Sequence, residues 1–72
     1  MIEPEDVAAE ISKLMLETGA KLDASVALVQ QRCSQEEFVV YRNAIGNIMG
    51  ELLDIMTPLY RRHPHLKPKE LL

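Results

Sequence analysis

Three sets of side chains in this 72-residue chain are of types that do chemistry. His63 and His65 offer two imidazoles to a metal, and Glu70 is the acid nearest to them in sequence. Two imidazoles on a proline-bearing segment with one acid make an incomplete coordination set. Solvent-exposed or cap-forming histidines explain them more simply. Glu51 and Asp54 stand three apart, as paired carboxylates on one side of a helix would. The di-metal bundle pattern requires Glu-x-x-His, and no histidine precedes residue 63, so a solvated acidic face is the expectation. Cys33 stands where a helix N-terminus would lower a thiol's pKa and raise its reactivity, but no base accompanies it in sequence. A redox-responsive role would need that thiol to react near neutral pH much faster than a free one. Phosphate-cradling glycine loops, nucleophile elbows and metalloprotease patterns do not occur. The expectation is a protein that is not an enzyme and holds neither metal nor cofactor.

These residues sit in a chain short enough for one domain only, residues 1–72, with a thin core. Hydrophobic residues make up 47% of it, with no Trp, one Phe and two Tyr, so the core must be aliphatic, which fits packed helices better than a small barrel. A single cysteine excludes an internal disulfide and is simplest in a reducing compartment. The start Met1-Ile2-Glu3-Pro4-Glu5-Asp6 is unlike a basic targeting sequence, and no apolar run approaches the ~20 residues of a membrane span. A soluble, cytoplasmic protein is expected. The net charge of −3 conceals a basic end: residues 58–72 carry one acid against four Lys and Arg.

Residues 5–33 place Val7, Ile11, Leu14, Thr18, Leu22, Ser25 or Val26, Val29 and Cys33 at steps of three and four, which predicts one face of an α-helix. Pro4 suits its first turn, and Glu5 and Asp6 complement its dipole. Gly19 is a possible break, but the apolar phase passes through it without a slip, which favours one long helix. Ser34-Gln35-Glu36-Glu37 is a capping box, flanked by Cys33 and Phe38 in the positions of a hydrophobic staple. The second helix carries Phe38, Tyr41, Ile45, Ile48, Leu52, Ile55 and Leu59, and Met49, Leu53 and Met56 widen the stripe. At Pro58 the helix is expected to end, kink or be recapped by Thr57, and Pro64 stops it. Residues 63–72 form a basic, proline-containing tail whose last turn can dock Leu71 and Leu72. The run from the capping box through Met56-Thr57-Pro58-Leu59-Tyr60 resembles short bacterial helical proteins, without implying a family or a function.

Gly46 and Gly50 lie inside the second helix, where the pair forgoes roughly 2 kcal/mol relative to alanine. Together with Asn43, Asn47, Asp54 and Thr57 they form a small, polar side opposite the apolar stripe. Such a groove admits another backbone: the first helix, a ligand or a second chain. Two antiparallel helices enclose little core, whereas two hairpins make a four-helix bundle. The fold expected is therefore an all-α hairpin of two long helices that dimerises into a four-helix bundle. Its subunit interface is expected at Tyr41, Ile45, Gly46, Ile48, Met49, Gly50, Leu52, Leu53 and Met56.

The function expected is a protein–protein interaction or regulatory module. A second binding surface is expected in the tail, at Tyr60, Arg61, Arg62, His63, His65, Lys67 and Lys69. The rival is a nucleic-acid-associated protein that uses residues 60–69 on phosphates, against which the acidity of the rest of the chain argues. Arg61 and Arg62 also complement the dipole of the second helix, and a hairpin would bring them toward Glu3, Glu5 and Asp6.

Overall fold

A computed structural model describes residues 1–69. Helix α1 spans Glu5–Arg32, helix α2 spans Gln35–Arg62, and a 3-10 turn covers Pro64–Leu66. The helices pack antiparallel as a hairpin, with no strand among the described residues. Its extents of 44 × 20 × 15 Å are those of one layer of two helices side by side. Among the described residues no helix is long and apolar enough to cross a membrane.

α1 opens at Pro4, whose extended backbone and missing amide suit a helix start, and the Pro4 carbonyl accepts from the Ala8 N–H at 2.9 Å. The helix is continuous through Gly19, which keeps negative φ. Gly19 faces α2: a Cβ on it would lie 3.7 Å from the Met49 methyl and 3.9 Å from a Leu52 methyl, ordinary contact distances.

The hairpin turns in two residues, Cys33 and Ser34. The Cys33 N–H closes α1 on the Val29 carbonyl, and Ser34 caps α2 by accepting from the Glu37 N–H at 3.2 Å. The box differs from its reciprocal form in one bond. The Glu37 carboxylate accepts from the Ser34 hydroxyl at 3.0 Å. Phe38 is buried next to this cap, under the Arg42 guanidinium, while Cys33 is exposed.

Two expectations need correction. The stripe of α1 chosen by size includes Val7 and Leu14, and both are exposed, whereas Ala8 and Ser12 are the buried residues of that helix. The contact side is selected by small residues that let the axes approach, so the larger side chains flank it. At Pro58 the helix neither ends nor is recapped; it runs on to Arg62. A proline in a helix interior costs about 3 kcal/mol by removing a bond to the carbonyl four residues back. Continuing the helical phase past it brings Met56, Leu59 and Tyr60 onto one buried cluster with Ala8, which offsets that cost. Leu59 has no exposed surface at all, and full burial of such a side chain is worth about 1.5–3 kcal/mol.

The core is uneven along the hairpin. Ala8, Met56, Leu59 and Tyr60 gather at the open end of the hairpin, opposite the turn, with Ile2, Ile11, Met15, Leu16, Leu52 and Leu66 packed around them. Toward the turn only Phe38 and Ile45 are buried apolar residues.

Candidate functional site

The segment from residue 60 to 69 does not stand away from the body as a tail. Tyr60 is buried, and its hydroxyl lies 2.6 Å from that of Ser12. His63 is buried too, and its Nε2–H donates to the Ile2 carbonyl at 2.8 Å, which fixes the ring tautomer. The 3-10 turn then lays Leu66 against the core cluster, so residues 63–66 strap the open end of the hairpin. Arg62 donates to Glu3 at 2.9 Å, and His65 pairs with Glu5. The hairpin thus delivers basic side chains to the acidic start of the chain. Arg61 and Lys67 instead border a shallow cleft with Leu53, Thr57 and Pro64. Leu71 and Leu72, with Glu70, lie outside the described residues.

Ile2 marks how firmly that strap is held. It has φ of 55°, a left-handed conformation that a β-branched residue adopts only when its surroundings enforce it. The enforcement comes from two sides: its side chain packs on the core cluster and its carbonyl accepts the His63 bond. Strain of this sort costs on the order of 1–3 kcal/mol and persists where other contacts outweigh it.

The histidines are brought together, with ring centroids 6.2 Å apart, but each is already engaged by a different partner. Among the described residues no three His, Cys, Asp or Glu side chains converge as metal ligands would. The sequence reading missed Glu5 as the acid beside His65, because the two are 60 residues apart and meet only through the hairpin.

The nine residues expected at an interface separate into three groups. Ile45 and Met56 are buried, and Tyr41, Met49 and Leu52 are half-buried along α1. Ile48 and Leu53 remain exposed on opposite flanks of that contact. Gly46 and Gly50 face open space: a Cβ at either would meet nothing within 4 Å. Neither has positive φ, so nothing in the hairpin requires glycine there.

Two hydroxyl pairs set the level of one helix against the other. Ser25 donates to the Leu22 carbonyl at 2.6 Å, so the Tyr41 hydroxyl must donate to Ser25, at 2.8 Å. With the Ser12–Tyr60 pair, this bond fixes the register at two points along the hairpin. On one broad face the helices enclose a shallow apolar groove along Val29, Val40, Tyr41 and Ala44. On the opposite face they enclose another along Leu16, Ala20, Met49 and Leu53.

Large apolar side chains remain at the surface of both helices. Val7, Leu14, Leu28, Val40, Ile48 and Leu53 are between 42% and 71% exposed, Val40 the most. Comparison of the chain with protein-family models, curated proteins and solved structures gives no match.

Proposed function

We propose that this chain is a small, non-enzymatic helical module of protein–protein interaction or regulation that acts in the cytoplasm as a homodimer, two hairpins forming a four-helix bundle. The observation that carries this reading is the exposed apolar surface on a structure only one helix layer thick. A domain normally buries its apolar faces between two layers, and a second hairpin supplies the missing layer. The basic end supports a protein partner over a nucleic acid. Arg62 is already paired with Glu3, so residues 60–69 offer less free positive charge than their composition suggests.

Sedimentation equilibrium across micromolar concentrations tests the assembled state. The expected mass is twice the 8.2 kDa of the chain. A mass of one chain at every concentration overturns the dimer, and with it the bundle.

A further inference from the structure

We infer that the dimer forms through one particular broad face of the hairpin, the face carrying Val7, Leu14, Leu28, Val40 and Ile48, and that its occupant is a second copy of this chain. The inference rests on the homodimer proposed above and says which surface makes it.

The face follows from helical geometry and from the grooves. At about 100° per residue, Val7, Leu14 and Leu28 lie on a single flank of the α1 side that contacts α2. Val40 and Ile48 lie on the flank of α2 that turns the same way. The groove along Val29, Val40, Tyr41 and Ala44 opens on this face, and the Leu53 groove opens on the other. Five exposed large apolar side chains therefore turn toward one side, with Lys21 between Leu14 and Leu28 and with Asn47 beside Val40 at its edge. The Ser25–Tyr41 and Ser12–Tyr60 pairs also fix which residues are level. Leu28 is level with Val40, and Leu14 with Ile55, which gives two apolar rungs.

Size and layering argue for a second copy. A face of 44 by 20 Å spans about 880 Å², and a stable interface buries about 800 Å² on each partner. That rectangle is the ceiling of what the face can bury, so only an occupant as long and as wide as the hairpin itself covers enough of it, and a second copy has those dimensions. A two-fold axis along the hairpin sets each α1 on the other copy's α2, so that Leu28 meets the partner's Val40 and Leu14 the partner's Ile55. The polar side with Gly46 and Gly50 offers no such rungs, since Asn43, Asn47 and Asp54 surround it.

The test compares the full-length chain with two pairs of variants by sedimentation equilibrium, with far-ultraviolet circular dichroism as the check on folding. Val40→Glu and Leu14→Glu alter exposed side chains on the inferred face. Each buries an unpaired carboxylate against an apolar side chain of the other copy, Leu28 or Ile55, and is expected to raise the dimer dissociation constant about 100-fold or more, with helicity retained under conditions where the wild type is folded. Gly50→Leu and Leu53→Glu, on other sides of the hairpin, are expected to leave it within about threefold. If the wild type is dimeric and Val40→Glu and Leu14→Glu remain equally dimeric, the inference fails while the homodimer stands. Splitting of the dimer by Gly50→Leu or Leu53→Glu instead likewise overturns this face. If either face variant loses helicity, Val40→Ala and Leu14→Ala replace it, and an unchanged dissociation constant in these overturns the inference. A wild-type monomer removes the homodimer itself and this inference with it.

Discussion

The hydroxyls of Ser12 and Tyr60 lie 2.6 Å apart inside the hairpin, from residues 48 positions apart in sequence. One hydroxyl donates to the other, and among the described residues no buried side-chain nitrogen or oxygen is left without a partner. Removing one hydroxyl leaves the other buried alone, at a cost of about 1–3 kcal/mol. Tyr60→Phe should be the milder change, because the Ser12 hydroxyl can turn back to the carbonyl one helical turn earlier. Urea denaturation of Ser12→Ala, Tyr60→Phe and the double variant should give a double-mutant loss smaller than the sum, by about 0.5 kcal/mol or more. Strict additivity would mean the pair contributes no coupling.

Gly46 and Gly50 give a prediction of opposite sign. Both are helical, neither needs positive φ, and an added Cβ meets nothing at either position. Gly46→Ala and Gly50→Ala should each stabilise the fold by about 0.5–1 kcal/mol, through helix propensity and a less flexible unfolded chain. Thermal melts at one fixed protein concentration measure this. Destabilisation by either alanine would show that another backbone approaches the small polar side, as the sequence alone allowed.

What could be read before the structure divides by sequence distance. The Ser34–Glu37 cap and the acidic first turn of α1 are local, with all partners within four residues, and they appear where expected. The continuity of α1 through Gly19 followed from an unbroken apolar phase, and the two-helix hairpin from two such phases joined at Ser34. The rotation of α1 was legible only in part: Ile11, Thr18, Leu22, Ser25, Val26 and Val29 are half-buried as their spacing implied, but Val7 and Leu14 are exposed. Hydrophobicity ranks Val7 and Leu14 above Ala8 and Ser12, but close approach of two helices selects for small side chains. The strap at the open end was legible only in part: a hairpin implied that Arg62 would approach Glu3, but His63 and Ile2 or His65 and Glu5 become neighbours only once the register is fixed. Basicity drew attention to residues 60–69, yet Tyr60 and His63 are inside.

Pro58 separates local cost from tertiary gain. The helix continues through it, so the carbonyl of exposed Asp54 lacks its usual amide partner. Pro58→Ala restores that donor while losing the proline's restriction of the unfolded chain, worth about 0.4–1 kcal/mol. The net expectation is a gain of about 2 kcal/mol, read from the shift of the urea midpoint at constant slope. No gain would mean that the half-buried ring contributes packing equal to the bond it removes.

His63 and His65 sit one residue apart and should behave differently. His63 is buried and donates to the Ile2 carbonyl, so His63→Ala removes a donor and frees a strained N-terminal residue from its anchor. A loss of about 1–3 kcal/mol is expected, with faster amide exchange in the first turn of α1. His65 and Arg62 make exposed pairs with Glu5 and Glu3, which are worth at most about 1 kcal/mol each. His65→Ala and Arg62→Ala should therefore leave the denaturation midpoint and the first-turn exchange nearly unchanged. If those exposed variants cost as much as His63→Ala, the strap is held by surface charge, and the buried His63–Ile2 bond is not what closes the open end of the hairpin.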